Sequence, residues 1–316
     1  VVGPKDSEDP HFPYGKEQIY PGNNFDYHLR PFEAAFEANT AQIMPYYGVP
    51  VGLAYEEVGF GYNKAIITDL LRGHYGFDGV VCTDYGLVSD ARLDESVRRI
   101  LRDKFRLGLF DNPYVDLDAA EQVVGNARFV AAGAEAQRKS IVLLKNGGAG
   151  APALPLSGRP KLYLERIDPE IASNYGAVTA NLDEADVAIL RLDTPFQTRD
   201  TGNFLERMFH AGDLDFKDEA KARILAILSQ RPAIVVMHLD RPAVIPEIAE
   251  ACVALLGEFG ADDRAVLDLI FGHFNPSGKL PFEMPGTMEA VYRQKPDVPY
   301  DSDNPLFPFG HGLGYA

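Results

Sequence analysis

The sequence predicts an α/β protein built from parallel βα units in two parts. Three observations carry this expectation. Short apolar runs alternate with amphipathic stretches at a spacing that suits strand–helix–strand crossovers. Gly79-Val80-Val81-Cys82-Thr83 is a short apolar run that reads as a buried strand delivering Asp84 to its C-terminal end. The Gly- and Pro-rich tract GGAGAPALPLSGRP, residues 147–160, interrupts the alternation as a connector does.

Taken in order, residues 1–23 are rich in Pro, Gly and charge and read as a loop. Residues 25–39 have a helical pattern, and a strand follows at Thr40–Met44, ending in Pro45-Tyr46-Tyr47. A second helix is expected at 63–75, with Ala65, Ile66, Leu70 and Leu71 on one side, and then the strand 79–84. Residues 91–107 form an amphipathic helix with Val97, Ile100, Leu101 and Phe105 on one face, stopped by Gly108. Residues 107–116 are a turn-rich joint, 116–139 are helical, and 141–144 is a strand ending at Asn146. Beyond the connector the pattern is strand 161–165, strand 187–192, helix 216–229, strand 233–238, helix 243–250, strand 252–256 and helix 262–271, which is a three-layer α/β domain.

The chain has 316 residues, 46% of them hydrophobic, enough for two domains with their own cores. Its net charge of −16 repels phosphate backbones and anionic lipid, so neither nucleic acid nor a membrane surface is expected as a partner. No apolar run approaches the ~18 residues of a membrane span. Cys82 and Cys252 lie in apolar runs and read as buried free thiols, and no His-Glu-x-x-His or Cys-x-x-Cys spacing points to a metal. GHFNPSGK, at 272–279, lacks the spacing of a phosphate loop. With no Trp among 15 Tyr and 19 Phe, any aromatic platform for a ligand has to be Tyr or Phe. The residues leave the compartment, cytoplasmic or exported, undecided.

The stretch GFDGVVCTDYG, 76–86, is where chemistry first shows. A buried strand delivers Asp84 to its C-terminal end. In parallel βα architectures that end carries the functional side chains, because the strand holds them rigidly while the following loop is free to vary. An aspartate capping the next helix is an equal alternative on position alone.

Gly76 to Tyr85 match throughout the motif Gly-Phe-x-Gly-Val-Val-x-(Ser/Thr)-Asp-(Trp/Tyr), and here the sequence resembles family 3 of the glycoside hydrolases, the β-glucosidase and β-xylosidase family. Four further stretches agree. Arg98-Arg99-Ile100-Leu101-x-x-Lys104-Phe105-x-Leu107-Gly108-Leu109-Phe110 resembles the helix that closes the family's barrel, and Ser140 to Asn146 the strand that opens its second domain. Phe271-Gly272-x-x-Asn275-Pro276-Ser277-Gly278-Lys279-Leu280-Pro281 and Pro308-Phe309-Gly310-His311-Gly312-Leu313 resemble its two late signatures.

The resemblance implies a fold and a role for each site residue. Residues 1–115 would be part of a (β/α)8, TIM-like barrel, 116–139 a helical connector, and 140–316 an α/β sandwich contributing to the active site. Asp84 would attack the anomeric carbon and form a covalent glycosyl-enzyme. A retaining pair of carboxylates stands about 5–5.5 Å apart, the nucleophile ionised and the acid with a raised pKa. The acid/base would come from the loop 193–216, whose one glutamate is Glu206; a helix-surface role in NFLERMF is the bland alternative, and Asp200 is the second candidate. Gln197 is as well placed but cannot protonate a leaving group. Met44-Pro45-Tyr46-Tyr47 resembles the family's sugar-pocket segment, so Met44, Tyr46, Tyr47 and Tyr85 are the expected substrate-binding residues, with ordinary core packing as the alternative. His28 and His238 are read as structural.

The implied activity is retaining hydrolysis of non-reducing terminal β-glucosyl, or xylosyl, units from an oligosaccharide or aryl glycoside, with no cofactor. A homo-oligomer is left open. The competing expectation is a catalytically impaired carbohydrate-binding or assembly protein. It rests on a departure from the family. A full barrel takes ~200 residues or more. The sugar-gripping Lys-His-Phe-Pro-Gly segment is not found, DSEDPH at 6–11 does not reproduce the spacing of the β-hexosaminidase branch, and Ser89-Asp90 abuts Ala91-Arg92 where the family has further strands. A half-barrel would expose strand edges and a large apolar interior. The expectation is therefore an incomplete record of a longer protein, with residues missing between Asp90 and Ala91 and near Val2–Gly3.

Overall fold

The computed structural model describes Phe12 and residues 15–82, 93–147, 151–198 and 207–315. The chain forms two compact units, Val1–Val124 with Gln294–Asp301, and Gly125–Arg293 with Ser302–Ala316.

In the first unit, β1 (Glu17–Ile19) leads to α1 (Phe25–Glu37), β2 (Gln42–Ile43), β3 (Val49–Val51), a π-helix (Ala65–His74), β4 (Val80–Val81), α2 (Leu93–Arg106) and α3 (Leu117–Val123). The strands pair in parallel as β1 with β3 and β2 with β4, in the register Gln42–Val80 and Ile43–Val81. These two pairs are the strand pairings among the described residues of the unit and do not by themselves close a barrel. Its core gathers Phe25, Ile66, Ile67, Leu71 and Phe77.

Several expectations are corrected here. The segment read as loop to residue 23 contains β1, whose three residues gain backbone partners from β3. The helix at 63–75 is wound as a π-helix, with buried Asn63 accepting the Ile66 amide at 3.2 Å at its start. The helical segment 116–139 is two helices, α3 and α4 (Ala127–Ser140), because Gly125 takes φ +70° and Asn126 caps the new helix by accepting the Phe129 amide at 3.1 Å. Cys82 is half-buried rather than buried, its thiol donating to Gln42 Oε1 at 3.1 Å. The apolar face of α2 is open to solvent, with Phe105 65% exposed.

The second unit continues from α4 through β5 (Val142–Asn146), β6 (Lys161–Glu165), α5 (Pro169–Ala172), β7 (Ala177–Thr179), β8 (Val187–Asp193), α6 (Asp218–Gln230), β9 (Ala233–His238), α7 (Pro246–Ala251), β10 (Ala254–Glu258), α8 (Asp263–Ile270) and α9 (Met288–Arg293). Six strands form one sheet in the order β5-β10-β9-β8-β6-β7, parallel except for β5, which runs antiparallel on the edge. Alternate residues feed two cores. Val235, Met237 and Leu255 pack with Ile224, Leu228 and Ile248 of α6 and α7 on one face. Ile234, Val236 and Leu256 pack with Val266, Leu269 and Ile270 of α8 on the other. That is the three-layer sandwich, and it explains why the middles of these strands are apolar on both faces. The elements α5, β7 and α9 were not expected from the sequence, being too short to show a period.

Candidate active site

Gly79 allows β4 to approach β2. A Cβ there would fall 2.3 Å from the carbonyl oxygen of Ala41, so a side chain would push the strands apart. The segment before β4 is also held from outside. Arg72 donates to the carbonyls of Phe77 and Gly79 at 2.5 and 2.8 Å, and Arg102 of α2 donates to Asp78 Oδ2 at 2.6 Å and its carbonyl at 2.7 Å. Arg102, with Arg99 behind it, holds the Asp78 carboxyl below the usual range. The motif glycine and the aspartate after Phe77 thus have local structural work, and the strand they fix ends three residues before Asp84 in the sequence. Asp84 and Tyr85 themselves lie outside the described residues, as does the Asp90–Ala91 junction.

Because β2 and β4 are parallel and in register, Met44-Pro45-Tyr46 leaves the same edge as Cys82. Met44 and Tyr46 are exposed, Tyr47 is half-buried, and the Tyr46 ring stands 6.5 Å from that of Phe60. Met44, Pro45 and Tyr46 border a cavity of about 300 Å3 whose other walls are mainly Phe, Ile and Leu, among them Phe25, Phe36 and Ile66. Such walls pack apolar groups and offer few partners to sugar hydroxyls. Burial pushes the hydroxyl of Tyr75, on the same wall, up to about 12, helped by its hydrogen bond to Glu33. The structure therefore brings Met44 and Tyr46 to the edge where β4 ends, with an apolar interior beneath them. His28 has a structural partner, its Nε2 lying 3.2 Å from the carbonyl of Asp297.

In the second unit, polar groups collect at the C-terminal edge of the sheet. β10 ends in Glu258, wholly buried. By the argument applied to Asp84, this is a second carboxylate delivered by an apolar run, Leu255-Leu256-Gly257-Glu258, and sequence reasoning passed over it. It is fully paired. Arg191 reaches its Oε1 at 2.9 and 3.2 Å and His238 Nδ1 lies 3.1 Å from the same oxygen, while the amides of Gly260 and Ala261 donate to Oε2 at 2.6 and 2.9 Å. Arg191 also donates to Asp263 at 2.6 Å. A buried carboxylate so surrounded holds the sheet edge together, and His238 is structural through it.

The chain leaves β8 at Asp193 into the loop expected to carry the acid/base. Glu206 and Asp200 lie outside the described residues. The loop's base does not. Thr194 is buried and its hydroxyl donates to the His238 carbonyl at 2.6 Å. Gln197, considered and set aside as a proton donor, exchanges backbone hydrogen bonds with Ala211 at 2.8 and 3.3 Å. His210 stacks on Phe196 with centroids 3.7 Å apart, and its Nδ1 meets Asp240. Thr194, Phe196 and His210 were not anticipated. The one available signal was Asp240-Arg241, two charges following an apolar strand.

Residues 163–315 match the model of the glycosyl hydrolase family 3 C-terminal domain. Among curated proteins, the chain is 43% identical to "Beta-glucosidase C" of Emericella nidulans, over 99% of this chain and 60% of the relative. It is 42% identical to "Probable beta-glucosidase C" of Aspergillus oryzae, over 99% and 57%. It is 32% identical to the "Periplasmic beta-glucosidase/beta-xylosidase" of Dickeya chrysanthemi, over 98% and 58%. The chain thus spans about three-fifths of the length of these relatives. The Aspergillus oryzae alignment runs over 368 positions against 316 residues here, so at least 52 of them belong to the relative alone. Among solved structures, a β-glucosidase from Listeria innocua superimposes with a TM-score of 0.71 at 22% identity, covering 91% of this chain and 53% of that one.

Proposed function

Because the chain belongs to family 3 of the glycoside hydrolases, we propose that this protein removes non-reducing terminal β-linked glucosyl units, with xylosyl units next in order, by a retaining mechanism. The observation that carries the reading is sequence agreement with β-glucosidases along nearly the whole chain. It is supported by a nucleophile motif whose Gly79 and Asp78 have definite roles in fixing β4.

In this mechanism Asp84 attacks the anomeric carbon. The bond from that carbon to the leaving oxygen breaks, and the oxygen takes its proton from Glu206, for which Asp200 is the alternative. Water then attacks the same carbon, Glu206 accepts the proton, and the bond to Asp84 breaks, so two inversions give net retention. Residues 1–115 would belong to a (β/α)8-type barrel, and Tyr46, Tyr47, Tyr85 and Met44 would face the sugar. No cofactor takes part, and the substrate is a β-linked oligosaccharide or aryl glycoside. Incubation with a 2-fluoro glucoside carrying an activated leaving group tests the reading. The label is expected on the peptide containing Asp84, and a label elsewhere removes Asp84 as nucleophile.

One observation favours a second reading, a carbohydrate-binding or assembly protein with impaired catalysis. At least 52 positions of a close relative have no counterpart in this chain. The same incubation separates the two, since a protein that no longer seats the sugar against a working nucleophile accumulates no covalent adduct.

A further inference from the structure

The segment between β8 and α6 is tied at its base on both limbs. The outgoing limb is anchored by the buried Thr194, and Gln197 pairs with Ala211 of the returning limb. Asp215 bridges to Val244 beyond it. Gly212, at φ +73°, lets the limbs close, since a Cβ there would fall on the Gln197 side chain.

Arg241 joins these ties from the loop after β9. Its guanidinium donates through Nη1 to the carbonyl of Ala211 at 2.6 Å and through Nη2 to that of Gly212 at 2.7 Å. Two parallel bonds to successive carbonyls fix both the distance and the rotation of the returning limb, which a single ammonium could not do. The group is half-buried, a costly place for a cation. Burial lowers its pKa from the usual guanidinium value, and the charges of Asp240 and Asp213 offset part of that. A neutral donor would have closed the limb more cheaply if closure were all that was needed.

We propose that Arg241 is a positioning residue for the acid/base loop, holding the returning limb 207–212 so that the acid carried earlier in the same loop, Glu206 or Asp200 in the reading above, meets the leaving-group oxygen in one orientation. The proposal rests on the reading above that this loop supplies the acid/base. Misplacing a catalytic group by about 1 Å costs ~100-fold in rate, and that loss falls on substrates whose leaving group needs a proton.

The test compares the full chain with Arg241→Ala and Arg241→Lys on two substrates, an alkyl β-glucoside and a dinitrophenyl β-glucoside. In Arg241→Ala, kcat on the alkyl glucoside is expected to fall ~100-fold, while the dinitrophenyl substrate changes by less than about threefold. KM stays within about twofold, and the limb of the kcat/KM pH profile that reports the acid flattens. Arg241→Lys recovers part of the loss. Equal losses on both substrates together with a lower Tm overturn the proposal in favour of a purely structural role, and no loss overturns it outright. Hydrogen exchange at the amides of Gln197 and Ala211 stands apart from activity. Exchange much faster in Arg241→Ala supports the tie, and unchanged exchange overturns it even if the wild type hydrolyses neither substrate. Wild-type inactivity with a normally protected base counts against the hydrolase reading alone.

Discussion

Asp297 accepts the backbone amide of Asn24 at 2.9 Å across 273 positions of sequence. Its other carboxylate oxygen accepts the amide of Gly22 at 2.8 Å, and its carbonyl accepts the side chain of Asn24 at 2.9 Å. Buried to 2% exposure, it ties residues 294–301 into the first unit, beside the start of α1. Replacing Asp297 by Ala leaves two enclosed amides without acceptors and is expected to cost about 3 kcal/mol. Urea unfolding measures the loss, and exchange at the Gly22 and Asn24 amides should accelerate. A change below about 0.5 kcal/mol would show that the staple is not needed.

Two glycines should respond in opposite directions. Gly79→Ala places a methyl against a backbone oxygen 2.3 Å away and a Phe77 ring carbon 2.4 Å away, so β4 must shift. A loss of about 1–3 kcal/mol is expected, and the proposed activity should fall with it, because the proposed nucleophile Asp84 follows β4 by three residues in the sequence. Gly133→Ala, in the exposed middle of α4 with nothing within 4 Å, should stabilise by about 0.5–1 kcal/mol through helix propensity. Thermal melts of the two variants read both signs.

Asp213 gives a pH-dependent prediction. Its carboxylate accepts from the Tyr292 hydroxyl at 2.6 Å and pairs with Lys217 at 3.0 Å; these bonds, the first the stronger cause, hold its pKa below the ordinary value. A depressed carboxylate contributes stability that is full above its unfolded pKa of about 3.9 and is lost as pH falls through the lower folded value. The advantage of wild type over Asp213→Asn should be about 1 kcal/mol at pH 6, screened by partial exposure, and shrink toward zero by about pH 2. Urea midpoints of both proteins across that range check it. A constant difference would place the effect outside ionisation.

Glu206→Ala tests the acid/base assignment. Hydrolysis of an alkyl glucoside should fall by ~100- to 10,000-fold, with a dinitrophenyl glucoside far less affected in its first step. Added azide should restore turnover and yield the β-glucosyl azide, because a small anion replaces the water that needs a base. Absence of rescue, with Asp200→Ala rescued instead, moves the role to Asp200.

Much of the second unit was legible in the sequence because the central strands are mostly apolar and each long helix repeats its apolar positions over several turns. Strands 161–165 and 233–238 have the expected bounds. The first unit was less legible. β1 and β3 are three residues long, and the π-helix shares its residue pattern with an α-helix; such elements are settled by partners and not by local preference. The paired groups at the sheet edge were hidden for a related reason, since Glu258, Arg191 and His238 meet only when three strands lie side by side.

By itself the sequence determined the alternation of elements and the family, through ordered motifs whose glycines and apolar runs are local requirements of the backbone. The tertiary structure decided what no local rule contains. It made Asp297 a partner of Gly22 and Asn24. It paired the buried carboxylate at the end of β10 completely, and it closed the loop after β8 with an arginine from the next strand's end. The physical reason is common to all three. A buried polar group must be satisfied wherever the fold brings a donor or acceptor within about 3 Å, and sequence separation has no part in that choice.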